Sequence, residues 1–112
     1  MDVTDGEGVG RRQSVFREIN ERIRTISASE YTQFLCECAD IGCAEAIGVP
    51  IAEYDRIRLV PTRFIVRPGH VVLEVERVIE HEAGYVVVEK FGAAATVAVA
   101  ADPRGRSEPT HS

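Results

Sequence analysis

Tryptophan is absent and aromatics make up only 6% of the chain, yet 45% apolar and 28% charged residues form a globular rather than a disordered mixture. No apolar run reaches the roughly 18 residues that a membrane-spanning helix needs, so such a helix is excluded. There is no G-x-x-x-x-G-K-[ST], no G-x-G-x-x-G after a strand, no H-E-x-x-H and no G-x-S-x-G. The common nucleotide-binding, zinc-protease and hydrolase mechanisms therefore have no support. The first ten residues are acidic and Gly-rich, without the basic-then-apolar order of a secretory signal, so a cytoplasmic location is expected. Cysteine occurs three times. An odd number without an export signal argues against a structural disulfide framework.

The 112 residues allow one domain at most. The net charge of −5 is unevenly spread, with five arginines against two glutamates over 11–28 and six basic against eleven acidic groups over 29–91. Such an acidic body makes broad attachment to nucleic acid unfavourable, although the basic helix remains able to touch phosphates. Residues 1–10 show no periodicity and read as a disordered leader, 11–91 as the single domain with its dense core over 31–91, and 92–112 as an Ala/Val-rich extension with a loose tail. The extension is expected either to lengthen the last strand or to dock weakly on the core.

Phe16, Ile19, Ile23 and Ile26 are spaced three, four and three apart, which predicts an amphipathic helix over 13–27 with Ser14 as a candidate N-cap. That seam suits packing within the chain, or pairing with a second copy as a homodimer. Residues 31–38 and 45–51 alternate and read as a hairpin, followed by a short helix from Ile51 that Pro61 stops. Residues 62–66 have strand character and Arg67-Pro68-Gly69-His70 is turn-like. Residues 71–80 alternate, placing Leu73, Val75 and Ile79 opposite a solvated row of Glu74, Glu76 and Glu80. Around Gly84 the chain turns back into 85–89, completing a hairpin. The predicted class is α+β, an N-terminal helix with a small, mostly antiparallel sheet and a short second helix.

Chemistry concentrates in Cys36-Glu37-Cys38-Ala39-Asp40-Ile41-Gly42-Cys43, a C-x-C-x4-C cluster. Residues i and i+2 of a strand point the same way, and a turn at Gly42 can fold Cys43 back towards them. Three converging thiols are three quarters of a tetrahedral zinc site. The fourth ligand is best supplied by His70, presented by the Pro68-Gly69 turn; His81 ranks second and His111, in the tail, third. The dense region is on the order of 60 residues, a size that often needs a metal, disulfides or a partner. Two other readings stay open: reduced cysteines packed as small hydrophobes, and a redox role, which Glu37 and Asp40 disfavour by opposing thiolate formation. Arg56, Arg58, Arg63 and Arg67, interleaved with Phe64, could touch phosphate or RNA, but pairing with nearby acids is the simpler expectation.

Phe34-Leu35-Cys36-Glu37-Cys38 with Cys43, Pro68-Gly69-His70, Phe16-Arg17-Glu18-Ile19-Asn20-Glu21-Arg22-Ile23, Tyr54, Arg63-Phe64, Val75-Glu76-Arg77-Val78 and Tyr85-Val86-Val87-Val88-Glu89-Lys90 together resemble a family of short, uncharacterised actinobacterial proteins. The resemblance spans 16–90, and the joint F-L-C-E-C-x4-C and P-G-H pattern is its most specific part. The family has no established activity, so the resemblance implies no reaction, but it puts both halves of the metal set into one recurring pattern. Members often carry Ser or Thr at the helix start where this chain has Val49-Pro50-Ile51, so the short helix here is expected to begin differently.

The reading that follows is a small non-enzymatic binding or regulatory module, stabilised by Zn2+ on Cys36, Cys38, Cys43 and His70, with its protein partner unidentified. A thiol redox sensor and a nucleic-acid-binding adaptor are the alternatives.

Overall fold

The computed structural model describes residues 6–40 and 42–106, arranged as an α+β fold. Helix α1 (Gly6–Ile26) leads into β1 (Tyr31–Leu35) and β2 (Ala46–Pro50), then α2 (Ile51–Arg58), β3 (Arg63–Val66), β4 (Glu76–Glu82), β5 (Tyr85–Lys90), α3 (Gly92–Ala100) and α4 (Pro103–Arg106). Among the described residues there are two antiparallel sheets, the hairpin β1-β2 and a three-stranded sheet in the order β3-β5-β4. Both expected hairpins form, the second turning at Gly84, whose φ of +87° is the left-handed conformation glycine accepts without strain. Helix α2 starts at Ile51 after Pro50 with no side-chain cap; instead the Ile51 N–H donates to the Glu30 carbonyl at 2.8 Å. Among the described residues, no helix is long and apolar enough to cross a membrane.

Helix α1 departs from its expected outline at both its start and its buried face. It begins at Gly6, so the leader expected over 1–10 is helical from residue 6; residues 1–5 lie outside the described residues. Glycine-rich sequence disfavours a helix by about 1 kcal/mol per residue, but here glycine permits close approach to α3. A Cβ on Gly10 would sit 3.2 Å from the Val97 Cβ and 3.3 Å from the Ala94 backbone. Of the predicted stripe, Phe16 is buried and Ile23 packs on the core, whereas Ile19 is 37% exposed and Ile26 82%. The fully buried side chains on α1 are instead Gln13, Arg17 and Asn20, again at a spacing of four and three.

These polar residues are buried because each has a partner. The Arg17 guanidinium donates to the carbonyls of Pro61 (2.5 Å) and Ala98 (2.7 Å), and its carbon lies 4.4 Å from the centre of the Phe64 ring. Gln13 donates to Glu76 at 3.0 Å. Glu76 is itself fully buried, ion-paired with buried Lys90 and accepting the Val72 N–H at 2.8 Å. The solvated glutamate row is thus corrected at Glu76, and Leu73, expected inside, is 72% exposed. The cause is backbone geometry. Residues 71–75 do not extend as a strand; the Val75 and Glu76 N–H groups turn back to the Val72 carbonyl, and the register of β4 slips between Val78 and Glu80.

The Ala/Val-rich segment forms α3 on α1 rather than lengthening β5. Past it, Asp102 pairs with buried Arg58, while Arg104 reaches Glu21 (2.8 Å) and Asp55 (2.9 Å), so residues 101–104 are tied down, unlike the loose tail expected there. Residues 107–112 of that tail, His111 included, lie outside the described residues. Phe34 and Tyr54 stack with ring centres 4.2 Å apart, joining the β1-β2 hairpin to α2 in the main core with Phe64, Ile65, Val87 and Val88.

Lys90→Met would leave Glu76 buried without its cation. The expected cost is about 3 kcal/mol in urea unfolding, and adding Glu76→Gln, which keeps an acceptor oxygen, should recover part of it. Hydrogen bonds from Arg24 and Arg104 hold the Asp55 carboxyl down at about 2, below its ordinary 3.8. The folded value is the lower one, so this contribution is present above about pH 4 and is lost as the pH falls towards 2. Asp55→Asn should flatten that part of the acid-unfolding curve.

Candidate metal centre

The first half of the site follows from strand alternation carried past the end of β1. The Cys36 N–H donates to the Glu45 carbonyl at 2.9 Å, and the Glu37 N–H donates in the other direction to the Ile65 carbonyl at 2.8 Å. Cys36 and Cys38 therefore share one side and Glu37 takes the other. The Glu37 carboxylate is fully buried, accepting the Asn20 side-chain amide at 2.8 Å and the Ile65 N–H at 3.0 Å. Asn20 also brackets Leu35, donating to its carbonyl and accepting its N–H, both at 2.8 Å. The cysteine segment is in this way fixed to α1 and to the edge of β3.

A turn at Asp40 supplies the third thiol. Its carbonyl accepts the Cys43 N–H and its side chain accepts the Gly42 N–H, each at 2.9 Å, which folds Cys43 back. His70 arrives from the turn after β3. Its N–H donates to the Arg67 carbonyl at 3.0 Å, with Pro68 at the second position and Gly69 at φ +91° at the third, the pattern of a type II turn.

The structure brings Cys36, Cys38, Cys43 and His70 together: one ligand atom from each lies within 4.8 Å of all the others, and the set could hold a metal ion. The His70 Nδ1 is 3.5 Å from the Cys36 sulfur and 3.7 Å from the Cys43 sulfur. For comparison, Zn–S and Zn–N bonds of about 2.3 and 2.0–2.1 Å at tetrahedral angles place sulfur and nitrogen about 3.5 Å apart. His81, the second-ranked candidate, stands exposed on β4 opposite Val86 and is not among the four.

Around the four donors lies a second layer that spacing alone did not reveal. The Arg67 N–H donates to the Cys36 sulfur at 3.2 Å. The Arg67 side chain pairs with Glu45 at 3.1 Å, and the other Glu45 oxygen stands 3.8 Å from His70 Nε2. A carboxylate behind a ligating imidazole fixes its orientation and raises its basicity. Burial pushes the Cys36 and Cys38 thiols up from their ordinary range; the Arg67 N–H pulls Cys36 back and the Asp40 backbone pulls Cys38 back, while Cys43 adds to the rise of both. A dication among them reverses that balance, because coordination deprotonates a thiol outright. The three sulfurs are buried, whereas the His70 side chain is 29% exposed, beside a cleft of about 390 Å³ lined by Cys38, Asp40, His70 and Val72 among others.

Each arginine of the cluster is paired with an acid. Arg56 pairs with Glu53 and Glu80, Arg58 with Glu21 and Asp102, Arg63 with Glu89, and Arg67 with Glu45. A second acidic group, Glu53, Glu80 and Glu82, is close enough for a cation, but the Arg56 guanidinium already occupies Glu53 and Glu80. No family model, curated protein or solved structure matches the chain.

Glu37→Ala should cost about 2 kcal/mol in urea unfolding, because it leaves the buried Ile65 N–H without its acceptor. A surface change such as Glu74→Ala should leave the midpoint within about 0.5 kcal/mol.

Proposed function

We propose that this protein is a small non-enzymatic binding or regulatory module whose fold is held by one zinc ion on Cys36, Cys38, Cys43 and His70. The supporting observation is the distance set: three sulfurs and an imidazole nitrogen gathered within 4.8 Å, with sulfur–nitrogen separations of 3.5 and 3.7 Å. Thiolates with an imidazole favour zinc over hard cations such as Mg2+ or Ca2+, which take oxygen ligands. Four protein donors fill a tetrahedral zinc and leave no position for water or substrate, so the ion acts structurally.

The position of the site supports the same role. Its thiols lie between β1 and β2, and its histidine follows β3 in the other sheet, so the ion ties the two sheets together. An ion bound only by the folded chain adds its binding free energy to stability, about 4 kcal/mol at a thousandfold excess over Kd.

Metal analysis of untagged protein should give one zinc per chain, and Co2+ substitution should show tetrahedral d–d bands with thiolate charge transfer. A strong chelator should lower the Tm, and Cys43→Ser should abolish stoichiometric binding. Failure of both purified and reconstituted wild-type protein to hold zinc overturns the reading. Glu45→Gln should retain the ion but weaken it about tenfold in chelator competition.

A further inference from the structure

The three sulfurs differ in what reaches them, and that difference carries a second chemistry. We propose that hydrogen peroxide oxidises Cys38 and Cys43 to a disulfide and so expels the metal, making the centre a peroxide-responsive release site; this rests on the zinc reading above. Cys38 is the thiol that lines the cleft of about 390 Å³ beside His70. The Cys36 sulfur is not part of that lining and accepts the Arg67 N–H. A small neutral oxidant entering the cleft meets Cys38 there, and Cys43, 9% exposed against 2% for Cys38 and 1% for Cys36, is the other thiol it can reach.

Geometry also selects the resolving thiol. The N–H groups of Cys36 and Glu37 point to neighbours on opposite sides, as in a strand. Side chains at i and i+2 of such a segment stand roughly parallel, their Cβ atoms about 6.6 Å apart at a rise of about 3.3 Å per residue. A disulfide needs Cβ atoms about 3.8 Å apart. All three sulfurs lie within 4.8 Å of one another, but Cys43 approaches from across the Asp40 turn and is not held to the i, i+2 strand spacing that separates Cys36 from Cys38. Closing that pair needs motion in the turn and leaves Cys36 in place.

The step balances. The Cys38 thiolate attacks one peroxide oxygen and the O–O bond breaks; the departing hydroxide takes a proton from solvent and leaves as water. The Cys43 thiolate then displaces hydroxide from the sulfenic acid on Cys38, forming the S–S bond and, with a second proton, a second water. Two thiolates lose two electrons and the peroxide gains them. The ion loses two of four donors, and Cys36 with His70 is too small a set to retain it. The tie between the two sheets opens with it.

The test uses the full chain loaded with zinc, its metal content measured beforehand, then treated with hydrogen peroxide in the presence of a chromogenic zinc indicator. The expected result is one zinc released per chain as two of three thiols are lost. Peptide mapping should find Cys38 linked to Cys43, and dithiothreitol with added zinc should restore the starting state. Zinc retained with its thiols intact, at peroxide levels that oxidise free glutathione, overturns the proposal alone. So does a link through Cys36, or oxidation of Cys38 to sulfinic acid without a disulfide. A chain that carries no zinc before oxidant is added overturns the metal reading and this one with it. The wild-type mapping decides the matter even where a Cys→Ser variant fails to fold.

Discussion

The contact between residue 37 and residue 65 anchors the cysteine segment of the candidate metal centre to the second sheet. Glu37 donates its backbone N–H to the Ile65 carbonyl and accepts the Ile65 N–H on its carboxylate, so it pairs with β3 at a point where β1 has already ended. A buried carboxylate is costly unless its oxygens are satisfied, and the second oxygen is satisfied by Asn20 of α1. One side chain thus joins a helix and two sheets. Because Glu37 faces inward, strand alternation turns Cys36 and Cys38 together towards the turn that carries His70.

The same logic runs through the rest of the interior. Gln13, Arg17, Asn20, Glu76 and Lys90 are buried as partners of one another or of carbonyls, not as isolated charges. Arg17 and Lys90 both lie over the Phe64 ring, 4.4 and 4.7 Å from its centre. Breaking one member of such a set costs more than forming it contributes. This pairing also explains how α1 docks while exposing Ile19 and Ile26: glycines at its start allow contact with α3, and hydrogen bonds complete the interface.

The legible parts of the sequence were those governed by local rules. Alternation and turn chemistry located both hairpins, Pro68-Gly69 located the turn before His70, and i, i+2 geometry placed Cys36 and Cys38 on one side. The misread parts had signals that pointed elsewhere. Gly6 and Gly10 argue against a helix until α3 is present to pack on them. Glu76 sits in an alternating run that reads as a solvated strand face, because a non-local lysine and a register slip carry no periodic mark. Glu45 and Arg67, the layer behind the four donors, are ordinary surface residues in sequence.

By itself, then, the sequence determined the α+β class, the hairpins and the identity of the four candidate ligands, since these follow from backbone stereochemistry and residue type over a few positions. Tertiary structure alone decided that residues 36, 38 and 43 meet residue 70, which buried charges pair, and which thiol faces the cleft. Those outcomes depend on separations of up to 83 residues, as between Glu21 and Arg104. Contacts across such distances are selected by the packing of the whole chain, which no local pattern records.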